Sequence, residues 1–118
     1  ICSPNNPTGR VYSAKFLDYI CGAYPNMTVL IDNTYRHFCT ENYFDLCNYE
    51  NCLLAFSYSK SWGLAGARLG ILQGHANTIS QITKIRPIMS VSSITLRLAE
   101  YLHKHHYIVE KSLERNRQ

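Results

Sequence analysis

The sequence predicts an α/β protein built on a mostly parallel sheet with one antiparallel strand. Three observations lead there. Short apolar runs at Thr28-Val29-Leu30-Ile31, Leu53 to Tyr58 and Leu69 to Leu72 have the length and residue types of buried strands. Stretches with apolar residues at helical spacing precede and follow them. Polar and turn-forming residues crowd the ends of the first two runs, and open α/β sheets bind their ligands at the carboxyl ends of strands.

The 118 residues suffice for one compact domain with a real core, and an apolar share of 46% excludes a disordered chain. Twelve basic against eight acidic residues give a net charge of +4, spread thinly and partly gathered in Lys111, Arg115 and Arg117. That is a mild bias and not the footprint of a nucleic-acid binder. The five cysteines are odd in number and form no Cys-x-x-Cys pair, which fits a reducing cytoplasm better than a disulfide scaffold or a zinc ribbon. No apolar run approaches the roughly 20 residues that cross a bilayer, and no signal-peptide pattern is present, so no membrane partner is expected. The chain opens at Ile1 inside what reads as a strand end, as expected of an excerpt from a longer protein.

Ile1-Cys2 runs into Ser3-Pro4-Asn5-Asn6-Pro7-Thr8-Gly9, whose prolines, asparagines and glycine force a turn. At a strand end such a turn presents Asn6 to whatever lies above the sheet; a plain surface turn is the alternative. Ser13 caps the next helix, which places Phe16, Leu17, Ile20 and Cys21 on one face and stops at Gly22 and Pro25. The run from Thr28 to Ile31 reads as a strand buried on both faces and ends at Asp32-Asn33-Thr34-Tyr35. There an acid and a phenol sit where a ligand would bind, or Asp32 simply begins a turn. Residues 36–52 read as a connecting excursion with at most a short helical turn.

Between the second and third strands lies Ser57-Tyr58-Ser59-Lys60-Ser61-Trp62-Gly63-Leu64-Ala65-Gly66-Ala67-Arg68. The link is too short for a crossover helix, so the third strand runs antiparallel to the second. A lysine amine between apolar flanks and near a cation is a candidate for attack on carbonyls as a Schiff-base former. Arg68 with the hydroxyls of Ser57 and Ser59 makes a phosphate clamp. Together these suggest pyridoxal phosphate, with a solvated loop as the plain alternative. Asn77 to Ile85 reads as a helix ending before Pro87. Ser92 or Ser93 then caps a stretch in which Ile94, Leu98, Leu102, Val109 and Leu113 recur near helical spacing. One long helix over about 93–115 is expected, with a basic end leading toward a further domain. His103, His105 and His106 share that stretch, but no carboxylate or cysteine at suitable spacing completes a metal site, and none is predicted.

Taken jointly, Asn5-Asn6-Pro7-Thr8-Gly9, Asp32-x-x-Tyr35 and Ser57-x-Ser59-Lys60-x-x-Gly63-Leu64-x-Gly66-x-Arg68-x-Gly70 resemble the motifs of the fold-type I pyridoxal-phosphate enzymes, specifically the class I and II aminotransferases. The resemblance covers essentially the whole chain. It implies a partial three-layer α/β/α sheet, with residues 1–118 forming the central part of the large, cofactor-binding domain. It implies that Lys60 holds pyridoxal 5'-phosphate covalently and moves a proton at the substrate α-carbon, and that Asp32 pairs with the pyridine nitrogen. Tyr35 and Asn6 would hydrogen-bond the ring's phenolic oxygen, while Arg68, Ser57 and Ser59 would bind the phosphate. Arg86-Pro87 before a serine-capped helix and the Gly63 to Gly70 wording look most like histidinol-phosphate aminotransferases. The threonine-phosphate decarboxylases share these features. Where the family often has Glu-Ala between acid and tyrosine, this chain has Asn33-Thr34, a departure that bears on substrate preference.

The implied activity is amino-group transfer between an amino acid or amino-alcohol phosphate and a 2-oxo acid, in a cytoplasmic homodimer. A decarboxylating lyase is the alternative. A non-catalytic fragment is the other, because the family's substrate-gripping arginine and ring-stacking aromatic fall outside these motifs; the isolated chain is expected to be inactive or very weak.

Overall fold

In a computed structural model residues 1–88 and 90–115 are described. The chain divides into two compact units, Ile1–Phe56 with Ile71–Arg86 and Ser57–Gly70 with Pro87–Gln118. The ordered elements are helix α1 (Ala14–Ala23), strands β1 (Val29–Asp32), β2 (Cys52–Ser57) and β3 (Gly70–Gly74), and helices α2 (Ala76–Thr83), α3 (Ser93–Lys104) and α4 (Tyr107–Arg115). The sheet is mixed, in the order β1-β2-β3, with β1 and β2 parallel and Asp32 in register with Ala55. Cys2 adds a parallel bridge to Asp32 on the far side of β1, through Ser3 N–H to Asp32 O at 3.0 Å and Asp32 N–H to Ile1 O at 2.8 Å.

Within the first unit, the Ser13 hydroxyl caps α1 by accepting from the Phe16 amide at 3.2 Å. The helix buries Leu17 and Cys21 against Val29, Ile31, Cys52 and Leu54 of the sheet, with Tyr43 and Leu46 closing the cluster. Leu17, Ile31 and Leu54 are wholly buried, each worth about 1.5–3 kcal/mol of apolar transfer. Two expectations change here. β1 alternates rather than burying both faces, with Leu30 48% exposed, because α1 covers only the face that carries Val29 and Ile31. Residues 36–52 are more than an excursion: 3₁₀ turns at Arg36–Phe38 and Phe44–Asn48 bring Tyr43 and Leu46 into the core. Asn51 holds the end of α1, its side-chain amide donating to the carbonyls of Cys21, Tyr24 and Met27.

The second unit gathers Tyr58, Trp62, Leu69, Ala99, Leu102, Val109 and Leu113 in its own core. The single helix expected over 93–115 is two helices. Ser92 caps α3, accepting from the Thr95 amide at 3.1 Å, and His105 leaves the helical region at φ −116° and ψ 48°. A straight helix over that span would run about 34 Å, well past so small a core, whereas the break lets Val109 and Leu113 pack into it beside Leu102. The buried stripe of α3 is Ala99 and Leu102; Ile94, expected on it, is 80% exposed. Arg117, part of the expected basic end, lies outside the described residues. Among the described residues no helix is long and apolar enough to cross a membrane.

Candidate active site

In the first unit, the parallel run of Ile1–Ser3 beside β1 makes the Pro4–Gly9 turn issue at the edge where β1 ends. The two asparagines of that turn do different work. Asn5 is spent on the turn itself: its side-chain amide donates to Thr8 Oγ1 at 2.7 Å, and its main chain bonds Arg10 and Gly9. Gly9 takes φ +68°, which a side chain would strain. Asn6, with Asn5 beside it, lines a cavity of about 250 Å³ together with Tyr35, Phe38, Pro4 and Gly9. The sequence could place both residues only at strand ends; the fold brings Asn6 and Tyr35 to one hollow.

Asp32 is the last residue of β1 and half-buried. Its Oδ1 accepts from the Thr34 amide at 3.0 Å and from the Thr34 hydroxyl at 2.6 Å. Both bonds fall on one oxygen, so the carboxylate is oriented while Oδ2 remains for a ligand. Asn33 turns inward, 4% exposed, its amide donating to Ala55 O at 2.8 Å. Thr34, which motif reading had counted only as a departure, is thus the residue that orients the Asp32 carboxylate. The Asp-x-Thr spacing was the signal, since an aspartate side chain commonly accepts from the amide two residues on.

In the second unit, the lysine loop is laced by its own backbone. Tyr58 N–H donates to Leu69 O at 3.1 Å, Leu64 N–H to Tyr58 O at 3.0 Å and Gly63 N–H to Lys60 O at 3.1 Å. Ser57 Oγ accepts from the Ser59 amide at 3.1 Å. Gly63 takes φ +68°, and Arg68 takes φ 51° and ψ 42°, the left-handed region where a side chain costs about 1–2 kcal/mol. Arg68 is the only non-glycine with positive φ among the described residues. Such outliers concentrate at ligand-binding segments. Lys60 and Arg68 are exposed, so the apolar surroundings inferred for the lysine belong to its neighbours Tyr58 and Trp62, both buried. Ser61 Oγ is buried beside the lysine without a hydrogen-bond partner among the described residues.

The donor set fits pyridoxal phosphate. The first unit offers a carboxylate with one oxygen to spare and, in one hollow, an amide and a phenol. The second offers an amine, a guanidinium and three hydroxyls within one loop. Taken by chemistry alone, the first unit's groups suit a ring nitrogen and a phenolic oxygen, and the second unit's suit an aldehyde and a phosphate.

Comparisons with known proteins agree. The sequence pattern of the family described as aminotransferase class I and II matches residues 1–118. A histidinol-phosphate aminotransferase of Chromobacterium violaceum is 34% identical over 102 residues, covering 86% of this chain and 28% of that protein. A dihydroxyacetone phosphate transaminase of Campylobacter jejuni is 30% identical over 123 residues, covering 98% and 33%. Among solved structures, a histidinol-phosphate aminotransferase of Sinorhizobium meliloti in complex with pyridoxal-5'-phosphate superposes with a TM-score of 0.86 at 22% identity, over 94% of this chain and 32% of that one. An L-threonine-O-3-phosphate decarboxylase of Porphyromonas gingivalis gives 0.81 at 23%, over 89% and 33%. At these identities the superpositions establish the fold, a partial α/β unit of the pyridoxal-phosphate transferase type. The chain spans about a third of the length of these relatives.

Proposed function

Because the chain belongs to the aminotransferase class I and II family, whose enzymes depend on pyridoxal phosphate, we propose that it is the cofactor-holding, central part of the large domain of an aminotransferase. The reaction is transfer of an amino group between an amino acid or amino-alcohol phosphate, of the histidinol-phosphate kind, and a 2-oxo acid. The observation that carries this reading is the oriented Asp32, its Oδ1 held by Thr34, on the same unit as the hollow shared by Asn6 and Tyr35.

When bound, pyridoxal phosphate supplies an aldehyde for amine exchange and a ring that draws electrons from the substrate α-carbon. Everything else is asked of the chain. The Lys60 amine would hold the cofactor's aldehyde carbon and would serve as the base for the proton at the substrate α-carbon. Asp32 Oδ2 keeps the ring nitrogen protonated by an adjacent negative charge. Tyr35 and Asn6 donate to the phenolic oxygen. Arg68, with Ser57 and Ser59, binds the phosphate as a charged fork with hydroxyls. Turnover is assigned to a cytoplasmic homodimer of the larger protein, with the isolated chain binding cofactor weakly and turning over little or not at all.

The test is a titration of the purified chain with pyridoxal phosphate, followed by visible absorption. A band that appears in the wild type, moves on adding an amino acid and is missing in Lys60→Ala supports the reading. A spectrum unchanged by Lys60→Ala overturns it. The structural likeness to a threonine-phosphate decarboxylase favours one second reading. Carbon dioxide release without need of a 2-oxo acid would select it.

A further inference from the structure

Lys60 is flanked at two residues on either side by aromatic rings buried in the second unit, Tyr58 at 6% and Trp62 at 8% exposed. The alternation turns those rings inward and the lysine outward. The main chain of Tyr58 is already closed across the loop, its N–H on Leu69 O and its carbonyl under the Leu64 amide. Its side chain makes a different kind of tie. Tyr58 Oη lies 2.5 Å from His103 Nε2 on α3. Trp62 packs on the same imidazole at 4.6 Å between centroids, on Tyr58 at 4.9 Å, and edge-to-face with His106 at 5.6 Å. Neither motif reading nor the proposed reaction uses His103.

Apolar packing alone would hold these rings by area, with freedom to slide. A hydrogen bond at the tip of Tyr58 fixes the ring's direction and, through it, the main chain two residues before the lysine. With its proton on Nδ1, the imidazole accepts the tyrosine proton at Nε2.

We propose that His103 is a positioning residue for Lys60: its hydrogen bond to Tyr58, with Trp62 stacked on both, sets the loop so that the amine meets its carbonyl partner in a productive direction. This rests on the reading of Lys60 as the cofactor-holding amine. Preorganisation of a nucleophile by packed neighbours is a rate effect, lost when the amine samples other directions. The proposal therefore concerns how fast Lys60 captures an aldehyde, not whether the unit folds.

The experiment compares wild type with His103→Leu, His103→Gln, Tyr58→Phe and the Tyr58→Phe/His103→Leu double variant. Hydrogen exchange of the amides of residues 59–64 is followed in the chain without cofactor. Separately, the rate of covalent capture of pyridoxal phosphate at Lys60 is followed by borohydride reduction and mass mapping. Loss of one net hydrogen bond predicts roughly five- to tenfold faster loop exchange and a comparable slowing of capture in His103→Leu. Tyr58→Phe, which keeps the ring and removes only its oxygen, should match it. The double variant should be no worse than either single one. His103→Gln, whose amide reaches the Nε2 position, should recover most of the loss. Wild-type exchange and capture in both His103→Leu and Tyr58→Phe, or additive losses in the double variant, overturn the proposal. Should the wild type fail to capture the aldehyde at Lys60, the cofactor reading fails; an unchanged exchange rate in Tyr58→Phe would still separately refute the tie.

Discussion

Tyr43→Phe probes the closed ring of hydrogen bonds that pins the asparagine turn to the core. Tyr43 is 1% exposed and Ser3 is fully buried. The phenol donates to Tyr12 O at 2.6 Å, the Ser3 hydroxyl lies 2.7 Å from the phenol oxygen, and the Tyr12 amide donates to Ser3 Oγ at 3.0 Å. With the phenol proton on Tyr12, Ser3 donates to Tyr43, and every group in the ring both gives and takes. Removing one oxygen breaks two bonds, each worth about 0.5–1.5 kcal/mol net, and strands a half-buried carbonyl and a buried hydroxyl. The expected loss is about 2–3 kcal/mol. Urea unfolding followed by far-ultraviolet circular dichroism should show the midpoint falling by about 1 M at unchanged slope. Tyr49→Phe is the control. Its hydroxyl bonds Asp18 at 3.0 Å in an exposed setting, and a change within about 0.5 kcal/mol is expected. Equal midpoints for Tyr43→Phe and wild type would refute the reasoning, as would an equal fall in the control.

The remaining predictions concern the core, pH and the oriented acid. Leu54→Ala, at a wholly buried position of β2, should cost about 2–5 kcal/mol, read from the same unfolding curves. Burial pushes the Cys52 thiol up to about 12 from the ordinary 9.0, and burial raises Cys21, Cys47 and Tyr43 as well. These groups are harder to ionise folded than unfolded. The Cys52 contribution is therefore complete below pH 9.0 and is lost as pH rises through about 12, and the other three act in the same direction. Unfolding midpoints should fall across that window, and less steeply in Cys52→Ala; a flat profile would contradict the assignment. Thr34→Val removes the hydroxyl that orients Asp32 while keeping the side chain's shape. It should weaken pyridoxal phosphate binding by roughly five- to tenfold, with an unfolding midpoint close to wild type.

Local chemistry made some of this legible in the sequence and long-range packing hid the rest. Ser13 and the Ser92-Ser93 pair announced their helices because a hydroxyl before an apolar-periodic run meets an orphan amide, as Ser13 and Ser92 do here. The strands were readable from short apolar runs, and the antiparallel β3 from a link with no room for a crossover. Tyr43 and Leu46 were not readable as core, since single apolar residues among asparagines and cysteines carry no period. Their burial depends on α1 lying over them. The break at His105 escaped for the opposite reason: the apolar spacing runs through it unbroken, and the compactness of the second unit's core interrupts the helix. Lys60, Asp32 and Arg68 stood out as residue types in unusual places. Thr34 drew notice only as a departure from a motif and His103 only as a rejected metal ligand, because their parts depend on what lies across a turn or on another helix.

The most direct test of the central claim is to mix the chain with pyridoxal phosphate, reduce with borohydride and locate the added mass by peptide mapping. The account predicts one adduct on Lys60, absent in Lys60→Ala. An adduct spread over Lys15 and Lys84 at equal yield, or one that persists in Lys60→Ala, would contradict it.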